Sequence, residues 1–425
     1  MLNGLFVFAV LVSVLLAAAT GRMEALTHAI VDDAGKAVAL AIGLVGVMAF
    51  FLGLMRIVEE GGLLRHVARA VGPITRRLFP EVPPDHPALH AMILNVSSNL
   101  LGLANAATPF GIKAMEELDK LNGRKGTASN AMVLFLAINT AGMSILPTTV
   151  IAVRASLGSR DPAGILVTTW IASGCATVVG IVAAIALARL PRFRGSEPPI
   201  ERPQPANAQP IPGADAERAG SSGVRSLVAA VFLLAVTVLA VVEIASSTGP
   251  GVRGFASFWL LPLLVGSLVL FGWASGVRVY DALVEGAREG FQVALRIIPY
   301  LVAVLVAVGM LRAAGGIEIL VRFVGPVTEW IRLPAEALPM ALLRPLTGSG
   351  ALAVMSEVMT QHGPDSRLGY LVSTMQGSTE TTFYVLAVYF GAVRVRRTRH
   401  ALPACLMADA AGILTAVAVV HWWFG

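Results

Sequence analysis

Long apolar runs dominate the chain. Residues 5–19, 38–55, 165–187, 227–242, 255–274 and 297–311 hold almost no charge. Several approach the roughly 20 residues a helix needs to cross bilayer hydrocarbon. A backbone group in lipid finds no water, so a spanning segment must pair its N–H and C=O groups within itself. The two-residue alternation of a membrane β-barrel is missing. The pattern therefore predicts an all-α polytopic membrane protein.

The pattern also repeats. RAVGP at 69–73 returns as RFVGP at 322–326. Residues 89–108 then align with 338–357, and Pro147-Thr148-Thr149-Val150 with Glu380-Thr381-Thr382-Phe383, with Gly158 matching Gly391 at the same offset. Order and spacing persist through both halves, which is the mark of an internal repeat. Between the halves lies GSEPPIERPQPANAQPIPGADAERAGSSG, too poor in apolar side chains to fold and expected to be a disordered linker. The expected division is 1–193, a linker at 194–224, and 225–425.

Two segments in each half are too polar for plain spans. The first dips through NVSSN at 95–99, or RPLTGSG at 344–350, between short apolar runs, and predicts a re-entrant helical hairpin. The second is a helix interrupted at 139–147, or at 376–380. Paired interruptions at matching positions point to a transport site. Loop charges predict that the repeats are inverted. Arg56, Arg65, Arg69, Arg76 and Arg77 follow the second apolar run, whereas Glu318, Arg322, Glu329, Arg332 and Glu336 in the other half show no positive excess. Beyond the broken helix the bias reverses, with Arg394, Arg396, Arg397 and Arg399 against Arg154, Arg160 and Asp161. Positive loops stay cytoplasmic, so the N-terminus and linker are expected there and the C-terminus outside. Arg22 and Arg253 run against this placement.

Composition narrows the chemistry. The chain is 56% hydrophobic and 14% charged, against about 25% charged in soluble domains. The net charge of +6 sits beside apolar runs, where it sets topology and meets anionic headgroups; nucleic acid is not an expected partner. Cys175 and Cys405 lie in apolar stretches and read as small hydrophobes. Ala17, Ala18 and Ala19 end the first run, but no Lys or Arg precedes it, so it reads as a retained helix. No phosphate loop or hydrolase motif appears, so no catalytic residue, cofactor or ATP coupling is expected. His86 and His90 have ligand spacing, yet Pro87 and the start of a hairpin intervene, so no metal site is expected.

The candidate site lies in the interruptions. Glu380, within Gln376-Gly377-Ser378-Thr379-Glu380-Thr381-Thr382, puts a carboxylate into an apolar helix, at about 2.5–3.5 kcal/mol on insertion scales. It reads as a solute ligand or protonatable group, or as a structural partner for an arginine. Arg344 either clamps an anionic group or neutralises Glu380. Ser349, within the Thr347–Gly350 turn, offers backbone amides as half-helix ends do. Asn95, Ser98, Asn99, Asn105 and Asn139 bring donors and acceptors suited to a nucleobase, sugar or carboxylate, or to interhelical bonds. Thr148, Thr149, Thr381 and Thr382 form symmetric pairs that either coordinate a cation or satisfy local backbone. Asp409 is a further acid, read as a helix-packing partner for a basic residue. The resulting ligand set is Glu380, Arg344, Gln376, Ser378, Thr381, Thr382, Ser349, Asn95, Asn99, Asn139, Thr148 and Thr149.

The opening MLNGLFVF, TGRMEALTHAI, the 78–118 stretch LFPEVPPDHPALHAMILNVSSNLLGLANAATPFGIKAMEEL and TASNAMVLFLAINT resemble spore maturation protein A. LPMALLRPLTGSGALAVMSEVM, GPDS, STMQGSTETTFYVLAVYFGAV and RTRHALPACLMAD resemble spore maturation protein B. The resemblance covers nearly everything except the linker and implies a fusion of two nucleoside-recognition Gate domains in a bacterial inner membrane. With the interruptions, it implies a transporter or channel for a small polar solute, nucleoside-like or a small organic acid, coupled to H⁺ or Na⁺ or uncoupled. A homo-oligomer is compatible with it. The alternative is a non-transporting scaffold or sensor in cell-envelope or spore-maturation processes.

Overall fold

The computed structural model describes residues 2–194, 231–232, 242, 259–316, 319, 328 and 330–424. The linker beyond Arg194, the RFVGP motif and nearly all of the 227–242 run lie outside the described residues.

Among the described residues the chain is helical, with one isolated bridge, Thr127–Arg397. The first half comprises α1 (Leu2–Thr20), α2 (Met23–Glu60), α3 (Leu63–Leu78), α4 (Pro87–Leu101), α5 (Ala104–Lys120), α6 (Asn130–Ala141), α7 (Thr148–Ser156) and α8 (Ile165–Ala188). The second comprises α9 (Leu260–Ala274), α10 (Val279–Ala313), α11 (Leu338–Leu343), α12 (Gly348–His362), α13 (Arg367–Ser378), α14 (Thr382–Ala392) and α15 (Ala401–Phe424). The hairpins are α4–α5 and α11–α12, and the broken helices are α6–α7 and α13–α14. Among the described residues α2, α8 and α15 are long and apolar enough to span a membrane, and α9 meets α10 at a 119° bend. The chain is a multi-pass membrane protein.

Matching helices run antiparallel, which is the inversion expected from the loop charges. Along α8 and α15, a Cβ on Gly180 would lie 3.1 Å from Ala408 Cβ, while one on Gly412 would lie 3.4 Å from Ala176 Cβ. Each helix thus carries a small-xxx-small pair, Ala176/Gly180 and Ala408/Gly412, that lets the other approach closely. Along α2 and α10, a Cβ on Gly286 would lie 2.8 Å from Gly53 Cα and one on Gly290 2.5 Å from Ala49 Cα. Small residues are needed here because hydrocarbon gives helices no hydrophobic reason to associate; close packing must do it.

The halves interlock. One core joins Phe51, Leu54 and Ile151 to Met355, Met375 and Val420; another joins Met92, Met115 and Phe135 to Val385, Phe390 and Cys405. Their loops also pair across the halves. Ala128 N donates to Arg397 O at 3.0 Å, and Arg399 donates to Ala128 O at 3.1 Å and Phe193 O at 2.8 Å. The matching pair of loops is built around Arg154. It donates to Asp365 Oδ1 (3.0 Å), Pro364 O (2.6 Å), Pro162 O (3.2 Å) and Asp161 O (3.0 Å). Its guanidinium lies 4.3 Å from the Tyr370 ring centroid, and Tyr370 donates to Asp161 Oδ2 at 2.8 Å.

Three expectations change. Arg154, counted among loop charges, is fully buried. The first hairpin does not turn at 95–99: Asn95, Ser97, Ser98 and Asn99 are helical, and the turn falls at Gly102, whose φ of +77° only glycine adopts cheaply. The run at 38–55 begins earlier, at Met23, and carries Asp33 into the protein. There Asp33 accepts from Lys36 (2.9 Å) and Arg312 (3.2 Å), and Arg312 also pairs with Glu357.

Arg154→Ala should lower stability by about 2–3 kcal/mol, because several carbonyls lose a charged donor at once. Arg154→Lys should rescue little, since an ammonium cannot reproduce the planar fork. Thermal melts of the purified protein in detergent check both.

Candidate functional site

Each hairpin tip rests on the break of its own half. Helix breaks free backbone groups that lipid cannot satisfy, and the tips supply partners. Ile145 N, in the first break, donates to Leu100 O at 2.8 Å; Phe383 N, just past the second, donates to Pro345 O at 3.0 Å. The breaks then meet each other. Glu380 N donates to Thr140 O at 2.7 Å, and a Cβ on Gly142 would lie 2.4 Å from Glu380 Cγ. Gly142 also ends α6 with φ +50°. Two hairpins entering from opposite ends and two broken helices therefore converge on one region.

The first-half ligands form a neutral cluster. Asn95 Nδ2 donates to Ala107 O (2.8 Å) and to the Tyr389 hydroxyl (3.2 Å). Tyr389 in turn donates to Asn139 Oδ1 (3.2 Å), which also accepts from Asn99 Nδ2 (2.9 Å), and Asn139 Nδ2 caps Phe135 O (2.9 Å). Tyr389 belongs to α14 of the other half, stacks on Phe135, and lies where a Cβ on Gly111 would fall 2.2 Å from its hydroxyl. Thr148 and Thr149 open α7, half-buried. The side chain of Asn105 lies outside the described ones.

The second-half ligands form a charged cluster. Arg344 follows α11, is buried, and donates to Thr381 Oγ1 at 3.3 Å. Glu380 and Asp409 are the carboxylates whose charge acts on it, yet neither makes an ion pair with it within 4.0 Å. Thr382 donates to Asp409 Oδ2 at 2.6 Å, so Asp409 on α15 pairs with a hydroxyl of the break where a basic partner was expected. Ser349 Oγ lies 3.4 Å from Thr347 Oγ1, and Thr347 caps α12 by accepting from Gly350 N at 3.1 Å. Ser378 is buried and bonds back to Met375 O at 3.0 Å. Glu380 itself is exposed at the break. The threonine pairs are alike in sequence and unlike in use: only Thr381 and Thr382 are tied to charged side chains.

Sequence reasoning missed Tyr389 and misjudged Asp409's partner. Tyr389 had no local signal, since an aromatic in an apolar helix reads as core. His86, weighed as a metal ligand, instead caps α4: its Nδ1 accepts from Ala88 N at 3.2 Å. Burial holds its pKa below the ordinary value, opposed by Glu117, which suits a neutral, accepting imidazole. Among the described residues no group of three or more His, Cys, Asp or Glu side chains could hold a metal.

Buried polar atoms without a well-formed hydrogen bond gather around this region. They include Asn95 Oδ1, Ser97 Oγ and Ser98 Oγ on one side, and Arg344 Nε and Gln376 Oε1 on the other. Buried polar groups are ordinarily paired, so these atoms are unusual for the interior of a helical bundle.

The family model described as nucleoside recognition, Gate, matches residues 41–157 and 294–396, which hold both hairpins and both breaks. The chain belongs to the Gate family. Spore maturation protein A of Bacillus subtilis (strain 168) is 42% identical over 166 residues, covering 39% of this chain and 85% of that protein. Spore maturation protein B of the same organism is 40% identical over 169 residues, covering 40% of this chain and 95% of that protein. Among solved structures, the YdaH transporter of Alcanivorax borkumensis aligns over 99% of this chain and 98% of its own at a TM-score of 0.41 and 14% identity, a loose likeness.

Tyr389→Phe should keep the stacking on Phe135 but remove one of the two bonds at Asn95 Nδ2 and at Asn139 Oδ1, lowering stability by about 1–2 kcal/mol. Gly111→Leu, which drives a side chain into the same ring, should lower it by about 1–3 kcal/mol. Melts of the two variants side by side separate lost bonding from lost space.

Proposed function

We propose that this Gate protein is a carrier or channel for a small polar solute, nucleoside-like or a small organic acid, bound where the two breaks meet. The observation that carries the reading is the concentration of buried, incompletely bonded polar atoms around two hairpin tips and two breaks. A plain structural bundle would bury apolar side chains there. The family description, nucleoside recognition, supports a ligand with both donors and acceptors, which the Asn95–Tyr389–Asn139–Asn99 chain matches on one side. Arg344, Thr381, Thr382 and Asp409 supply charge on the other. Charge distribution supports a cytoplasmic linker in a bacterial inner membrane: Phe193, at its start, is bonded to Arg399, among Arg394, Arg396, Arg397, Arg124 and Lys125.

A second reading is a membrane component of spore maturation that binds but does not move a solute. The 40–42% identity to spore maturation proteins A and B favours it.

The deciding experiment is ligand-dependent thermal stabilisation in detergent with nucleosides, nucleobases and small dicarboxylates, with Na⁺ and pH varied. A specific ligand at a hundred times its Kd should add about 2.7 kcal/mol, and the gain should vanish in Arg344→Ala and Glu380→Gln. Stabilisation without solute flux in proteoliposomes would favour the second reading. No stabilisation across the panel in well-folded protein would sink the proposed site.

A further inference from the structure

α3 is unlike the other described helices. Its sequence, LLRHVARAVGPITRRL, holds four arginines and no acidic residue. With about 100° between successive helical residues, three faces separate. Gly72 and Thr75 are buried, and a Cβ on Gly72 would lie 3.7 Å from Ile93 Cδ1 of α4, so this face rests on the first hairpin. On one flank Ile74 is 63% exposed, beside the half-buried Leu63 and Val67. On the flank away from Ile74, Arg69 and Arg76 align with Arg65, while Arg77 falls between that stripe and Ile74; Arg69, Arg76 and Arg77 are exposed.

An isoleucine that bare belongs in hydrocarbon in a membrane protein. The arginine flank opposite it then stands at headgroup level, with the helix axis along the interface. Position agrees. α3 leads through 79–86 into the base of the first hairpin, where His86 senses Glu117 and Lys120. That base continues into the 121–129 loop, which docks on the arginine-rich 394–400 loop. The stripe therefore lies at the basic end of the molecule. The fold does not require it: the aligned stretch of the second half alternates Glu318, Arg322, Glu329 and Arg332.

We propose that the exposed arginines of α3, Arg69, Arg76 and Arg77, form a binding surface for anionic phospholipid headgroups, on a helix seated against the first hairpin. Guanidinium pairs with phosphate in a planar, bidentate manner, and the exposed Ile74 across the helix from the stripe favours a lipid over a soluble acidic partner. The inference stands apart from the solute reading, since no residue of the breaks takes part.

The test uses the full chain in nanodiscs of phosphatidylcholine, alone or mixed with phosphatidylglycerol. Native mass spectrometry reads the lipids retained on release, and melting temperature is read in both compositions. Wild type should retain phosphatidylglycerol preferentially and melt higher in its presence. The triple variant Arg69→Gln, Arg76→Gln, Arg77→Gln should lose this preference by roughly a hundredfold. The matching triple lysine variant should keep most of it, and Arg394→Gln with Arg396→Gln should keep it as a control for charge alone. Equal retention in the glutamine variant and wild type would overturn the proposal. So would an equal loss in the Arg394/Arg396 control, or a wild type indifferent to phosphatidylglycerol, which would leave the stripe to a soluble acidic partner.

Discussion

A helix broken within a bilayer leaves backbone donors and acceptors that lipid cannot satisfy, and the rest of this structure follows from how they are met. Each break is closed by the hairpin of its own half, through Ile145 N to Leu100 O and Phe383 N to Pro345 O. The two breaks are then joined by Glu380 N to Thr140 O. Because these bonds need two tips and two breaks together, neither half completes the region alone. The interlocked cores and swapped loop pairs are the packing consequence.

The inverted repeat solves this with nearly the same backbone twice, but the chemistry has diverged. One copy presents amides organised by a phenol from the other half; the other presents an arginine between two carboxylates with which it makes no direct ion pair. A nearly symmetric frame thus carries two chemically different clusters. The buried Arg154 cluster and the Arg399 contacts hold the loops at opposite ends of the molecule.

Small residues decide how near the frame's helices come. Ala176/Gly180 against Ala408/Gly412, and Ala49/Gly53 against Gly286/Gly290, bring paired helices close enough for dispersion to replace the hydrophobic drive that lipid removes. Gly111 serves the site in a similar way, giving Tyr389 the room to reach between Asn95 and Asn139.

Much of the fold was written locally. Apolar runs marked the spans, the Pro-, Gly- and Asn-rich interruptions marked hairpins and breaks, and loop arginines marked the inversion, because each reports a segment's own fit to lipid. What depended on partners far away in sequence was not. The first turn moved from 95–99 to Gly102 because buried asparagine and serine could stay helical among α5, α6 and Tyr389, while Gly102 alone offered the left-handed backbone. Arg154 looked like a loop charge until Asp365 and the carbonyls of both halves closed around it. Asp409 found a threonine in place of a basic residue, and Tyr389 became part of the site only when α14 was laid against α4 and α6. Sequence by itself determined which segments enter the membrane and where they fail as plain helices, since lipid acts on each segment singly. Only the tertiary structure decided which polar side chains meet, since that depends on the packing of two halves that are distant in the chain.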